Sequence, residues 1–222
     1  MVVLVPVYQP GGGLSRLVAD VRAADPSCAV VLVDDGSTKP VEMPGCTVLR
    51  HPVNRGKGAA LRTGFAHIAS AYPGEPVVCA DGDGQHSAAD ILRVASRVAE
   101  GDHLVLGVRR VRRMPPRSRL GNAITRELFR AATGRWVRDT QTGLRGYPGS
   151  MLGWLVGVPG ERFEYEMNVL LAAVRGGHPI EQVEIATTYL GGNASSHFGS
   201  MSDAVRVYRA LLRFVIVDRF SL

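Results

Sequence analysis

The sequence predicts an α/β protein built on an open, mostly parallel sheet with helices on both faces. Three observations lead there. The 222 residues are 45% hydrophobic and 21% charged with 26 glycines, the composition of one ordinary globular domain. Short β-branched runs alternate with helix-period segments through the first half of the chain. Three of those runs end in polar clusters, and ligands in open α/β sheets sit at the carboxyl ends of strands.

Taken in order, Val2–Val7 reads as the first strand, and Gly11-Gly12-Gly13 as a turn before a helix over Leu14–Ala24. Strands follow at Ala29–Val33 and Thr47–Leu49, a helix at Gly58–Ala71 and a strand at Val77–Ala80. The helix over Ala88–Glu100 has Ser87 in the N-cap position, and Leu104–Val108 is the next strand. From Arg109 the texture changes. A basic stretch (Arg109, Arg110, Arg112, Arg113, Arg117, Arg119) holding Pro115-Pro116 leads into a helical segment, Asn122–Ala132. A glycine-punctuated turn region over Asp139–Pro148, a helix near Tyr165–Val174 and a strand near Ile180–Thr188 come next. The last helix, Ser202–Phe220, carries the densest apolar patch of the chain, Leu211-Leu212 with Phe214 to Val217. The change near residue 108 is a change of role within one domain.

A chain of this length buries roughly 70–75% of its unfolded surface and needs no disulfide or structural metal. Cys28, Cys46 and Cys79 are odd in number, lack C-x-x-C spacing and lie in or beside apolar runs, which suits buried thiols in a reducing compartment. No stretch reaches the ~20 apolar residues that span a bilayer, and Met1 leads into Val2 to Val5 without a basic n-region, so a cytoplasmic protein is expected. The net charge of +6 favours anionic partners: nucleotides, lipid headgroups or nucleic acid. The arginine stretch lacks the aromatic interleaving that single strands stack on, so no nucleic-acid partner is expected.

Asp81-Gly82-Asp83 leaves a strand with two carboxylates one residue apart. Such acids repel unless a cation or proton separates them. A hard divalent ion, Mg2+ or Mn2+, held by carboxylate, water and substrate phosphate resolves this, and Gln85 adds a neutral oxygen. The plain alternative is an ordinary Asp-Gly turn. At Asp34-Asp35, successive residues face opposite ways. Asp35 then accepts from a nucleobase or ribose while Asp34 or Ser37 caps the turn, or both are solvated turn acids. Asn54-Arg55-Gly56-Lys57-Gly58 puts Lys57 and backbone N–H groups at a helix N-terminus, a resting place for an anion or simply a basic loop. His51, His67, His103 and His178 share no spacing and have no catalytic assignment; His86, beside Gln85, either supports the site or touches the metal or donor itself. Trp136 and Trp154 read as core or interface aromatics, and Glu164 and Glu166 suit a helix start, with a supporting role open for one of them.

Seven ordered segments, VPVYQP (5–10), VDDGST (33–38), NRGKGAALRTGF (54–65), DGDGQH (81–86), RSRLGN (117–122), DTQTGLRGYP (139–148) and RFEYEMNVLL (162–171), resemble family 2 glycosyltransferases of the GT-A fold, especially the polyprenyl-phosphate (dolichyl-phosphate) mannose and glucose synthases. The resemblance implies a GT-A, Rossmann-like sheet in which residues 1–108 bind the nucleotide sugar, 109–200 the acceptor, and 201–222 form an amphipathic helix. It implies inverting, metal-dependent transfer of a hexose from a GDP- or UDP-linked sugar to a polyprenyl phosphate, feeding cell-envelope or glycoconjugate glycosylation. Pro6, Tyr8, Asp35 and Lys57 match nucleotide-binding positions, and Asp81 matches a donor contact. Asp83 and Gln85 match metal ligands, and Arg109 an arginine near the transferring phosphates. Arg119, with Arg117 as rival and His197 beyond, matches the acceptor-phosphate side. Asp81, Asp83, Arg109 and Arg119 make up the implied catalytic set.

Two departures stand out. Gln9-Pro10 replaces the Asn-Glu of many relatives, which leaves guanine against uracil open, and the late loop 191–198 offers only His197 where mannose synthases often carry Arg and Lys. An acceptor phosphate is already anionic and needs no base, whereas a sugar hydroxyl would need one, with Asp139 as candidate. The C-terminal helix, with Arg206, Arg209, Arg213 and Arg219 beside its apolar residues, either lies on a membrane or a membrane partner, placing the protein at the inner face, or packs on its own domain. Competing readings are a sugar nucleotidyltransferase and a non-enzymatic basic membrane adaptor.

Overall fold

In the computed structural model, which describes residues 1–110, 116–186 and 201–220, seven strands make one sheet. They are β1 (Val2–Val7), β2 (Ala29–Asp34), β3 (Thr47–Arg50), β4 (Val77–Cys79), β5 (Leu104–Arg109), β6 (Arg145–Tyr147) and β7 (Ile180–Ile185). Their order is β3-β2-β1-β4-β6-β5-β7, and β6 alone runs antiparallel to its neighbours. The helices are α1 (Gly13–Ala24), α2 (Lys57–Ala71), α3 (Ala88–Ala99), α4 (Pro116–Thr133), α5 (Leu152–Gly157), α6 (Glu164–Arg175) and α7 (Met201–Phe220).

Because strand side chains alternate, β1 sends Val3, Val5 and Val7 to one face and Val2 and Leu4 to the other. The first set meets Leu14, Leu17 and Val21 of α1 and Ile91 and Val94 of α3. The second belongs to the cluster that also holds Phe65 and Ile68 of α2, Leu155 of α5, Tyr165 of α6 and Leu211 of α7. Phe65 packs edge-on against Tyr147 at 5.4 Å, a contact worth about 0.5–1.5 kcal/mol beyond its area. The β1, β2 and β4 chain ends thus open at one rim, with helices closing both flanks.

The eight elements expected up to residue 109 appear within a residue or two. Ser87 caps α3 as expected, its hydroxyl accepting from the Asp90 N–H at 3.1 Å. Two features differ. The region 139–148, expected as turns, contains β6, whose Arg145-Gly146-Tyr147 lacks the apolar run that marks a strand and is held by β4 and β5 on either side. Helix α4 starts at Pro116 rather than Asn122, since proline at the first helical position loses no hydrogen bond. Thr188 falls outside the described residues.

Candidate active site

At the mouth of β2 both acids turn inward. Asp34 accepts from the Ser37 and Val41 amides at 2.9 and 3.2 Å, capping the turn. Asp35, 3% exposed, accepts from the Arg55 and Gly56 amides at 2.9 and 2.7 Å and from His51 Nδ1 at 2.7 Å. His51 Nε2 in turn meets Thr63 Oγ1 at 2.9 Å. The carboxylate therefore shapes the loop entering α2 and faces the fold, where the sequence reading aims it at a ligand. Gly56, at φ 104°, adopts the left-handed region that lets this loop bend onto Asp35. His51, given no role from the sequence, is part of this support. Pro6 is half-buried in β1, and Tyr8 lies exposed just beyond it.

The loop delivers Lys57 to the mouth of β4. Its Nζ sits 2.7 Å from Asp81 Oδ1 and 2.9 Å from Glu166 Oε2, so the ammonium is bound by two carboxylates rather than offered to an anion. Burial works to lower the Lys57 pKa, but Asp81 and Glu166 outweigh it and hold the group well above the ordinary lysine value. Burial likewise works to raise Asp81, but Lys57 and His86 hold its carboxyl well below the usual range. The backbone at Gly143 lies against the Asp81 carboxylate so closely that a Cβ there would overlap it.

Glu166 is the acid of α6 that reaches the site; Glu164 instead accepts from the Glu161 and Arg162 amides at the helix start. Arg145 Nε lies 3.8 Å from Glu166 Oε1. Its guanidinium, 1% exposed, donates to the carbonyls of Thr140, Thr142 and Glu166 at 3.2, 2.9 and 2.7 Å. A buried arginine in a three-residue strand carries no sequence signal, and the sequence reading missed it. This chain of contacts links Asp81 to the 139–143 segment.

That segment holds Arg109. Asp139, fully buried, accepts from Arg109 Nε and one terminal nitrogen at 2.7 and 2.9 Å, a two-pronged pair that fixes the guanidinium plane. Helix α4 clamps the same segment: Asn122 Oδ1 accepts from the Thr140 amide at 3.2 Å, and the Thr125 and Thr140 hydroxyls lie 2.9 Å apart. Arg119 is exposed on the first turn of α4. The Arg117 side chain and His197 lie outside the described residues.

Asp83 and Gln85 complete the β4 mouth. Burial and the neighbouring Asp81 push the Asp83 carboxyl above its ordinary value. Asp83 Oδ1 accepts from the Gln85 backbone N–H at 3.0 Å, which closes the turn between them. His86 lies with Nε2 3.6 Å from Asp81 Oδ2, while its buried Nδ1 has no hydrogen-bond partner among the described residues.

A sheet of this order with an acidic turn at the carboxyl end of β4 is that of the GT-A fold. Comparison with known proteins is more specific: residues 2–151 match glycosyl transferase family 2, and the chain belongs to that family. An uncharacterised protein of Methanocaldococcus jannaschii is 31% identical over 171 residues, 72% of this chain and 70% of its own length. The undecaprenyl-phosphate 4-deoxy-4-formamido-L-arabinose transferase of Klebsiella pneumoniae is 28% identical over 162 residues, 65% of this chain and 47% of its own; this chain spans about half of that relative. Among solved structures, Mycobacterium tuberculosis glucosyl-3-phosphoglycerate synthase, crystallised with Mn2+, UDP and glucosyl-3-phosphoglycerate, superposes with a TM-score of 0.74 at 18% identity, covering 96% of this chain and 79% of its own. At that identity the likeness concerns the fold.

Proposed function

We propose that the protein transfers a hexose, with inversion, from a GDP- or UDP-linked sugar to a polyprenyl phosphate, using Mg2+ or Mn2+. One observation carries the choice of acceptor. Apart from Asp83, assigned below to the metal, the carboxylates around the site are already engaged by cationic or amide partners: Asp35 by His51 and two amides, Asp81 by Lys57, Glu166 by Lys57 and Arg145, Asp139 by Arg109. A sugar hydroxyl would need a free base, whereas a phosphate arrives ionised. Asp139, the candidate base for a hydroxyl acceptor, is fully buried against Arg109. The relatives named as undecaprenyl-phosphate sugar transferases agree with this choice.

The residues present suit a divalent ion. Asp83 has a carboxylate whose sole hydrogen-bond partner among the described residues is the Gln85 amide, and its raised pKa marks a site where added positive charge is welcome. Asp83 and Gln85 would hold the ion, with water and donor phosphates completing a hard oxygen set; when bound it neutralises charge on the leaving diphosphate. Pro6 and Tyr8, at the end of β1, border the base, and Asp35 supports the neighbouring loop that carries Lys57. Arg109, aimed by Asp139, stabilises the diphosphate as the bond from the anomeric carbon to its phosphate oxygen breaks. An acceptor phosphate oxygen forms the new bond from the opposite side, positioned by Arg119 with Arg117 and His197.

The test incubates the protein with UDP- and GDP-hexoses and a short polyprenyl phosphate, with Mn2+, Mg2+ or chelator, and follows products by mass spectrometry. Metal-dependent glycosyl-lipid phosphate and free nucleoside diphosphate are expected. Glycosylation of sugar hydroxyls alone, or pyrophosphate release from a nucleoside triphosphate and a sugar phosphate, overturns the reading.

A further inference from the structure

Of the nine large apolar side chains that the described residues leave exposed, seven lie on α4, on the turn after it, or on α7 packed beside it. Leu120, Ile124 and Leu128 recur every fourth residue and form one ridge along α4. On α7, Val205, Leu212 and Ile216 fall on a common line, while Val207, Leu211 and Phe214 turn into the core. An apolar surface of this extent, gathered on two neighbouring helices, marks an interaction site rather than scattered exposure.

Its charge selects the partner. Each helix carries four arginines, against one acid on α4 and two on α7. Arg119, Arg126 and Arg130 follow one flank of the α4 ridge at i, i+7 and i+11. Trp136, 46% exposed, lies beneath the guanidinium groups of Arg126 and Arg130 at 4.9 and 5.3 Å. A second copy of the chain meeting this face symmetrically would set arginines against arginines. Apolar side chains bordered by arginines, with a tryptophan at the boundary, match the layering of an anionic bilayer: acyl edge, then headgroups. No helix among the described residues is long and apolar enough to cross a membrane, so such a face would lie on the surface.

We propose that α4 and α7 form a docking face for an anionic lipid bilayer, with the Leu120–Ile124–Leu128 ridge at the acyl boundary and the flanking arginines on lipid phosphates. In purpose this rests on the lipid-phosphate acceptor proposed above, since α4 also clamps the Asp139 segment that aims Arg109. In evidence it stands on the surface alone.

Flotation of the full chain with vesicles of phosphatidylcholine, with and without phosphatidylglycerol, tests it. The protein should float with the mixed vesicles at low salt and be released at high salt. The triple variant L120Q/I124Q/L128Q should lose about tenfold or more of its partitioning, and R126Q/R130Q a similar factor on the mixed vesicles only. The triple variant should melt near the wild-type temperature, because the side chains it replaces are solvent-exposed, whereas R126Q/R130Q, which loses the stacking on Trp136, is compared at a temperature where its circular dichroism matches the wild type. Failure of the wild type to float, flotation of the triple variant at wild-type level, or a wild-type dimer that the triple variant dissolves overturns the proposal. Transfer to a short, water-soluble polyprenyl phosphate without vesicles separates the two readings. A wild type that floats yet glycosylates no such acceptor supports the docking face while removing the acceptor assignment.

Discussion

At the mouths of β2 and β4 the charged groups face one another, whereas on α4 and α7 apolar side chains face solvent beside the exposed Arg119, Arg130, Arg209 and Arg213. In the first region Asp35, Asp81 and Glu166 each have partners within 2.9 Å supplied by the loop that begins α2. In the second, Leu120 is 64% exposed and Leu212 is 60% exposed. The contrast teaches where this protein keeps rigidity. The mouths of β2 and β4, proposed above to take the donor, are preorganised by internal charge pairing, which would cost little reorganisation on binding a nucleotide. The α4 and α7 surface, proposed to meet the lipid, is left open, as would suit a partner too large to enclose.

Breaking that comparison on the donor side should have the largest effect at Asp83. Asp83→Ala removes the one site carboxylate that lacks a cationic partner among the described residues, so activity should fall about a thousandfold or more, while the melting temperature barely moves. Titration calorimetry of Mn2+ with nucleoside diphosphate should show weakened metal binding; unchanged metal affinity would remove Asp83 from the metal site. Asp139→Asn comes next. It neutralises a fully buried carboxylate that two Arg109 nitrogens meet, with an expected cost of about 3 kcal/mol in stability and about a hundredfold in turnover. Loss of activity here does not identify a base, because Arg109 is displaced at the same time. A pH–rate profile that keeps its acid limb in the variant is the outcome expected of a positioning role.

What the sequence made legible follows from the range over which its signals act. Period and capping are local, so β1 through β5, α1 to α3 and the Ser87 cap could be read, and the acids at strand ends fell where a parallel sheet puts them. β6 could not, because Arg145-Gly146-Tyr147 is a strand only by virtue of β4 and β5 on either side. The same holds for the site's wiring. Lys57, Asp81 and Glu166 are brought together by the fold, as are Arg109 and Asp139, and no spacing rule pairs residues that far apart. His51 was invisible for a related reason: a lone histidine acquires meaning only when the carboxylate it meets is known.

Lys57→Met sharpens the comparison at moderate cost. Asp81 and Glu166 would face each other across a site that has lost its cation. Because Asp81 is about one-third exposed, solvent screening limits the penalty to about 1–3 kcal/mol. The pH dependence has a definite sign. The Asp81 pKa is depressed in the folded state, so its contribution is present above the unfolded carboxylate value of about 4 and is lost as pH falls below it. In Lys57→Met that depression shrinks, so denaturant unfolding measured between neutral and acidic pH should show a flatter loss of stability than in the wild type. A parallel pair of curves would mean that Lys57 does not set the Asp81 pKa.

The smallest effect is expected at His51, where two substitutions divide its two bonds. Asparagine places an amide nitrogen near the position of Nδ1 and can keep the donor to Asp35; glutamine reaches toward Nε2 and keeps the Thr63 contact instead. If the purpose of His51 is to hold Asp35, and through it the Arg55 and Gly56 amides, then His51→Asn should lose about 0.5 kcal/mol and retain transfer activity. His51→Gln should lose about 1–1.5 kcal/mol and raise KM for the donor, because the loop carrying Lys57 loosens while the metal residues stay intact. Asp35 keeps its two amide donors in either variant, which is why the effect stays near the size of one hydrogen bond. The reverse ranking, with asparagine the more damaging, would show that the Thr63 contact, and so the body of α2, is what His51 secures.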